Sequence, residues 1–214
     1  MSGVAEEYKR DGPEAQRIAS VIPYYPFHGV PRFYDISGMT QDPIAFKLCI
    51  DTFVKRYAAL NVDKVVGLDA RGFVLGPPIA LALGKPFVMI RKSGKLPNAV
   101  TSAQYFKEYK GGNAAGGDEL CISRTSIIPG DRVLVIDDLV ATGGTLVASC
   151  DLLTNVGAVI VECACVVELK FLNGYGKLQE KHPNVRVWSL ISEDILLLEG
   201  EAEPAAEPTT VFNK

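Results

Sequence analysis

The sequence predicts an α/β fold in which a mainly parallel, twisted sheet is flanked by helices. Short apolar runs recur along the chain, and most are followed by polar or glycine residues and then by a segment with helical spacing. Alternation of strands and helices is typical of parallel sheets that are covered on both faces. The 214 residues, 48% of them hydrophobic, are enough for one domain with a substantial core.

The amino-terminal part of the chain predicts two helices joined by a loop. The first helix is predicted at residues 13–22, and the proline-rich residues 23–31 are predicted to form the loop. A second helix should begin at Pro43, because Asp42 is a good N-cap and proline suits the first helical position. Its buried face is predicted from residues at helical spacing, namely Ile44, Leu48, Cys49, Phe53 and Tyr57.

The rest of the chain predicts the sheet and the helices that cover it. Strands are expected at residues 65–68, 87–90, 133–136, 158–167 and 185–190, and helices at 75–83, 145–155 and 172–181. Residues 92–118 do not fit this alternation, because glycines interrupt them around an aromatic patch. A connection of that length inside a compact domain predicts a functional flap.

The charge distribution bounds the possible partners. The formal net charge is −3, and it lies entirely in residues 199–214, which carry four Glu and one Lys. We predict a single domain over residues 1–198 followed by a disordered acidic tail. A neutral domain argues against nucleic acid and anionic membrane as partners. The sequence shows no apolar span or targeting signal, so it predicts a cytoplasmic protein.

The strongest motif spans residues 133–145, where an apolar strand leads into two acids and then into a glycine-threonine turn. The turn predicts a phosphate cradle, because glycines allow close approach of backbone N–H groups and a helix amino terminus follows. Asp137 and Asp138 suit sugar hydroxyls and the water around a Mg²⁺ ion. The alternative is a simple strand-to-helix turn with an N-cap.

Two further motifs also follow predicted strands. Asp69, Ala70 and Arg71 precede a helix, and the alternative there is a turn with a surface arginine. Arg91, Lys92 and Lys95 stand together without an acidic neighbour in sequence. A solvated charge run is the usual explanation of such a cluster. Ligands of parallel sheets bind beyond the carboxyl ends of the strands, however, which favours an anion site.

Together these motifs resemble those of the type I phosphoribosyltransferases, and among them the members that use adenine. Members that use hypoxanthine or guanine have a similar motif, but it contains a later Asp at the position where this chain has Ala141. The resemblance implies a sheet fold with a hood at about residues 20–40 and a flap at about 92–118. It also implies transfer from 5-phosphoribosyl 1-pyrophosphate (PRPP) to adenine, giving AMP and pyrophosphate, with Mg²⁺ bound mainly through PRPP and water, and a homodimer.

The resemblance also implies roles for individual residues. The ribose hydroxyls and metal-bound water are expected at Asp137 and Asp138, and the 5′-phosphate at Ala141, Thr142, Gly143, Gly144 and Thr145. Pyrophosphate is expected at Asp69, Ala70, Arg71, Arg91, Lys92 and Lys95. Adenine is expected against Val30, Arg32, Phe33 and Leu139. For the first three of these the alternative is a proline-bounded surface loop.

Two alternatives to this function remain open from the sequence. One is a different base on the same scaffold, such as xanthine, hypoxanthine, guanine or orotate. The other is a non-catalytic regulator that senses PRPP and binds nucleic acid. Such a regulator would be expected to carry a basic face or an additional basic module, whereas residues 1–198 are neutral.

Glu108 is the candidate for proton transfer, since it lies between Tyr105 and Tyr109 in the predicted flap. Adenine loses a ring proton as its N9 forms the glycosidic bond, and a nearby carboxylate could accept that proton. Glu108→Gln is therefore predicted to lower the turnover number by about 100-fold or more, measured with both substrates saturating. An unchanged turnover number would move the proton to backbone or solvent.

Overall fold

The computed structural model describes residues 10–27, 30–101 and 119–196, with side chains for all of these except residues 26, 27 and 30–32. Glu108, most of the predicted flap and the predicted tail lie outside the described residues. The helices are α1 Pro13–Ala19, α2 Ser37–Gln41, α3 Pro43–Tyr57, α4 Gly72–Leu83, α5 Gly144–Asn155, α6 Gly174–Lys181 and α7 Glu193–Leu196. The strands are β1 Tyr24–Phe27, β2 Val30–Tyr34, β3 Lys64–Leu68, β4 Phe87–Lys92, β5 Ala99–Thr101, β6 Leu120–Ser123, β7 Arg132–Val140, β8 Val159–Glu168 and β9 Val187–Ser192.

In the described residues, seven strands form the main sheet in the order β5-β6-β4-β3-β7-β8-β9. The five strands from β4 to β9 in that order are parallel. Beyond β4, β6 pairs antiparallel with β4 and β5 pairs antiparallel with β6. The predicted mainly parallel sheet is confirmed. Neighbouring residues alternate between two cores: Val65 packs in one and Val66 in the other. Helices therefore cover both faces of the sheet.

The predicted loop at residues 23–31 is wrong, because most of it forms an antiparallel hairpin of β1 and β2. Tyr24 is the partner of Tyr34, and their rings meet edge to face at 6.2 Å. Pro26, which lacks a backbone N–H, lies where the register shifts between Tyr25 and Phe27. A bulge of this kind accommodates proline in a strand. The prolines therefore did not exclude strand structure.

Helix α3 begins as predicted. One oxygen of Asp42 accepts hydrogen bonds from the backbone N–H groups of Ile44 and Ala45 at 2.9 and 3.0 Å. These bonds satisfy amides that have no partner within the helix. Ile44 itself is 69% exposed, which corrects its predicted place in the core, and Ala45 is buried instead. The preceding helix α2 was not predicted.

Strand β7 extends beyond its predicted end at residue 136 to Val140, so that the two acids belong to the strand itself. Pairing with β8 sustains this extension, since Asp137 is the partner of Cys165 and Val140 the partner of Glu168. A neighbouring strand supplies the backbone hydrogen bonds that would otherwise end at the polar residues. Asp137 and Asp138 therefore belong to the strand and not to the turn that follows it.

A buried ion pair fastens α3 to the sheet. The Arg56 guanidinium donates two hydrogen bonds to one oxygen of Glu162, at 3.0 and 2.9 Å, and the Tyr57 hydroxyl donates a third at 2.7 Å. The guanidinium also lies 4.6 Å from the centre of the Trp188 ring. Glu162 is therefore compensated despite being only 3% exposed.

The five cysteines are all buried and free, as expected for reduced core residues. Within residues 10–27, 30–101 and 119–196, none of the helices has the length and apolar character needed to span a membrane.

Glu162→Ala is predicted to lower the free energy of unfolding by about 3 kcal/mol, because it leaves the Arg56 charge desolvated without its partner. Urea denaturation monitored by circular dichroism would measure the loss. The control is Asp51→Ala, which removes an exposed partner of Lys47 one helical turn away. That variant should change stability by less than about 0.5 kcal/mol. Equal effects of the two substitutions would contradict the prediction.

Candidate active site

The predicted site residues converge because three parallel strands end side by side. Strand β3 is flanked by β4 and β7, with Leu68 paired to Ile90 and Gly67 to Ile136. The segments that follow these pairs all leave the same edge of the sheet. Three sequence motifs that are distant in the chain therefore border one site.

Arg71 connects two predicted parts of this site. Its Nη1 lies 3.0 Å from Asp138 Oδ2, and its guanidinium lies 5.0 Å from the centre of the Phe33 ring. Arg71 follows β3, Asp138 lies on β7 and Phe33 lies in the amino-terminal hairpin. The guanidinium thus joins the acid pair to the hairpin. The Arg71 side chain is nevertheless 40% exposed.

Asp138 retains an unused acceptor. Its side chain is 7% exposed, and Oδ2 accepts no hydrogen bond although the Arg71 guanidinium is within ion-pair distance. The two observations are compatible, because an ion pair needs proximity whereas a hydrogen bond also needs alignment. A buried carboxylate oxygen of this kind can accept a hydrogen bond from a ligand hydroxyl or from a metal-bound water.

Asp137 is the less favourable place for a negative charge. Burial first, and then the neighbouring Asp138 carboxylate, raise the pKa of Asp137 well above its usual range. The backbone N–H of Asp138 donates a 2.9 Å hydrogen bond to Asp137 Oδ1 and the Arg71 charge also acts on it, but both effects are smaller. The residue as a whole is partly exposed, whereas its carboxyl is surrounded by protein atoms.

The three cations at and after the end of β4, which are Arg91, Lys92 and Lys95, do not behave as one cluster. Arg91 Nε donates a 3.3 Å hydrogen bond to Asp69 Oδ2, so the acidic neighbour that is absent nearby in sequence is present in space. Arg91 Nη1 also donates to the Lys95 carbonyl at 3.4 Å. Lys92 and Lys95 have exposed side chains. The peptide bond between Asp69 and Ala70 is cis.

The glycine-threonine turn lies between β7 and α5, as predicted. Gly143 has a φ of +79°, a left-handed conformation that favours glycine, and α5 begins at Gly144. The first amides of a helix lack partners within it and attract anions. Ala141, Thr142, Gly144 and Thr145 are partly exposed, whereas Gly143 is buried. The turn therefore presents amides and hydroxyls to a ligand while its centre is packed.

The residues expected around a base are only partly described. Phe33 is partly exposed on β2 and faces the Arg71 guanidinium. The side chains of Val30 and Arg32 lie outside the described ones. Leu139 is partly buried against the core that contains Tyr34. The hairpin and the end of β7 thus border the same side of the sheet, as a base-binding wall requires.

Sequence patterns missed two contacts in the site. One is the pairing of Arg91 with Asp69, and the other is the contact of the glycine-threonine turn with Gly174, whose carbonyl would be 2.5 Å from a Cβ at Gly143. Both join residues that are more than twenty positions apart in the chain. Local spacing carries no signal for such contacts.

Comparisons with known proteins agree with this geometry. A family model described as the phosphoribosyl transferase domain matches residues 37–198. Adenine phosphoribosyltransferase 2 of Arabidopsis thaliana is 50% identical over 161 residues, covering 75% of this chain and 80% of that protein. Adenine phosphoribosyltransferase 1, chloroplastic, of the same plant is 47% identical over 182 residues, covering 84% and 72%.

A solved structure extends the comparison to nearly the whole chain. It is the adenine phosphoribosyl transferase of Trypanosoma brucei in complex with AMP, pyrophosphate and ribose-5-phosphate. The structures agree with a TM-score of 0.85 at 32% sequence identity, covering 96% of this chain and 90% of that one.

Asp137→Asn is predicted to raise the melting temperature at neutral pH. The raised pKa means that the folded protein holds this proton more tightly than the unfolded chain does. The contribution of Asp137 to stability is therefore full below its unfolded pKa of about 4, and it is lost as the pH rises through the folded pKa. As the pH rises from about 4 to neutral, the melting temperature should decline less in the variant than in the parent protein.

The control for that prediction is Asp131→Asn, which should act in the opposite direction. A hydrogen bond from Lys64 is the largest of the effects that lower the pKa of Asp131. Its carboxylate therefore stabilises the fold above its unfolded pKa, and that contribution is lost as the pH falls through the folded pKa. The control should lower the melting temperature at neutral pH. A lower melting temperature for Asp137→Asn as well would contradict the prediction.

Proposed function

Because this chain belongs to the phosphoribosyl transferase family, we propose that it is an adenine phosphoribosyltransferase, a purine-salvage enzyme. It transfers the phosphoribosyl group of PRPP to adenine and forms AMP and pyrophosphate. The observation that carries the proposal is the meeting of Asp138, Arg71 and Phe33 at one edge of the sheet. That meeting brings a ribose-binding acid, a cation for the leaving group and an aromatic surface for a base within reach of one small molecule.

PRPP would bind along the edge of the sheet. The 5′-phosphate is assigned to the turn at residues 141–145, whose partly exposed threonines and helix amino terminus suit an anion. The ribose hydroxyls are assigned to Asp137 and Asp138, which lie in β7 just before its end at Val140. Strand and turn are continuous, so the sugar and its phosphate can be held at one fixed spacing.

The pyrophosphate group is assigned to residues at the ends of two strands, namely Asp69, Ala70 and Arg71 after β3 and Arg91, Lys92 and Lys95 at and after the end of β4. Negative charge grows on pyrophosphate as its bond to C1 of the ribose breaks, and a cation held nearby stabilises that charge. Arg71 suits this role because its guanidinium is partly exposed while it contacts Asp138. Pyrophosphate would compete with Asp138 for the same cation.

The acid pair also fits Mg²⁺, which prefers oxygen ligands and keeps several of its waters. Asp138 Oδ2 is buried without a hydrogen bond, and an accepted bond from a metal-bound water would satisfy it. We assign the ion mainly to PRPP and water, with Asp137 and Asp138 alongside. Bound there, Mg²⁺ would neutralise charge on pyrophosphate.

Adenine is assigned to the space beside the hairpin. The Phe33 ring offers a face for stacking, the backbone of Val30 and Arg32 in β2 can read the base edge, and Leu139 borders the same side. Glu108 is assigned the proton of adenine N9, as its place in the predicted flap suggests. Closure of a flap would exclude water that could otherwise hydrolyse the activated sugar.

Two further proposals concern the state of the protein. We assign it to the cytoplasm, although one relative is named as chloroplastic. We also propose a homodimer, in which the exposed apolar residues Val74, Leu81 and Met89 of α4 and β4 would be covered by the partner. Size-exclusion chromatography with light scattering would measure the assembly, and a monomer would overturn that proposal.

The function is tested by offering adenine, hypoxanthine, guanine, xanthine and orotate separately with PRPP and Mg²⁺. Adenine alone should be converted rapidly to its nucleotide, and chromatography would measure the conversion. The reason is that Ala141 stands where the similar motif of the hypoxanthine and guanine enzymes has an Asp. Faster conversion of another base would reassign the specificity. Salt-sensitive nucleic-acid binding without nucleotide formation would favour a regulator.

Thr142→Ala and Asp138→Asn are each predicted to raise the KM for PRPP by about tenfold or more, because each removes a polar contact to a charged ligand. The KM for adenine should change much less. The matched control is Thr125→Ala, since Thr125 is exposed in the turn after β6. Strand β6 runs antiparallel to β4, so this turn lies toward the opposite edge of the sheet. An equal rise in the control would contradict the prediction.

A further inference from the structure

The turn between β7 and α5 rests directly on the backbone at the start of α6. A Cβ built on Gly174 would lie 2.2 Å from the Ala141 carbonyl oxygen, 2.9 Å from the Gly143 nitrogen and 3.0 Å from Val140 Cγ1. From the other side, a Cβ built on Gly143 would lie 2.5 Å from the Gly174 carbonyl oxygen. Neither glycine leaves room for a methyl group.

This contact cannot be relieved by rotating a side chain, because the two nearest atoms on each side are backbone atoms. The segment before α6 is also tied to the end of β7, where the Leu169 backbone N–H donates a 2.9 Å hydrogen bond to the Val140 carbonyl. An added methyl group at Gly174 must therefore displace either the turn or the helix.

The helix is the less movable of the two partners. Leu178 of α6 is fully buried in the core on that face of the sheet. At its carboxyl end, His182 Nε2 lies 2.9 Å from Asp151 Oδ1 of α5. Helix α6 is thus held against the helix that the turn opens, whereas most residues of the turn are partly exposed. Displacement should fall mainly on the turn.

We propose that Gly174 is a positioning residue for the 5′-phosphate of PRPP. Its lack of a side chain lets the backbone of α6 support Ala141 and Gly143, and this support sets where the amides and hydroxyls of the turn meet the phosphate. The inference rests on the proposed assignment of this turn to the 5′-phosphate. Gly174 acts through the turn and touches no reacting atom.

The test is Gly174→Ala in the full-length chain. Displacement of the turn should raise the KM for PRPP by about tenfold or more, while the KM for adenine stays within about twofold. AMP and ribose-5-phosphate, which carry the 5′-phosphate, should no longer raise the melting temperature. Pyrophosphate with Mg²⁺ should still raise the melting temperature, because the residues assigned to pyrophosphate at the ends of β3 and β4 are unchanged.

The matched control is Gly176→Ala, two positions along the same helix. A Cβ there would meet only the Asn173 side chain among its nearest atoms, at 2.3 Å from Oδ1, and that side chain can rotate away. This variant should keep the KM for PRPP within about twofold of the parent. It also separates the contact with the turn from the general effect of alanine in α6.

The other outcomes decide against the inference or against the proposed function. An unchanged KM for PRPP and an unchanged response to ribose-5-phosphate would overturn it, while leaving the proposed function intact if the parent protein forms AMP. Loss of the pyrophosphate response together with the ribose-5-phosphate response, or failure of the variant to fold, would make Gly174 a general structural residue. A parent protein that forms no AMP would overturn the proposed function, whereas its stabilisation by ribose-5-phosphate would still test Gly174.

Discussion

The site depends on the parallel pairing of β3 with β4 and β7. This register makes three strands end at one edge. Arg71 therefore meets Asp138 there, and Arg91 meets Asp69, although each pair comes from separate parts of the chain. Backbone hydrogen bonds set the spacing of the strands, and the side chains at the edge inherit it. An antiparallel β7 would carry its acids to the opposite edge.

The charged side chains Asp137, Asp138 and Arg71 lie close together at this edge, and their arrangement is unfavourable for the stability of the fold. Burial and the neighbouring carboxylate raise the pKa of Asp137, and Arg71 only partly compensates the pair. Asp138 keeps a buried oxygen without a hydrogen bond. Such incomplete satisfaction is unfavourable in a free protein, but it leaves acceptors that a sugar hydroxyl or hydrated cation can use. Elsewhere, the buried Glu162 carboxylate accepts hydrogen bonds from both Arg56 and Tyr57.

The opposite faces of the sheet contribute to different parts of the proposed substrate complex. The amino-terminal hairpin and the core beneath it hold Phe33 and Leu139, which border the proposed base site. The other face carries α5 and α6, which hold the turn proposed for the phosphate. The acids of β7 lie between them. Base and phosphate recognition can therefore change separately, because different elements support them.

The sequence by itself determined the alternating fold, the start of α3 at Asp42 and the motifs at the ends of β3, β4 and β7, because these depend on local spacing, capping and turn chemistry. It mispredicted the hairpin around Pro26, where pairing between strands outweighs the local preference of proline. Only the tertiary structure decided that Arg71 meets Asp138, that Arg91 meets Asp69 and that Gly174 supports Gly143. These contacts join distant segments, and strand register and helix packing fix them only when the chain is folded.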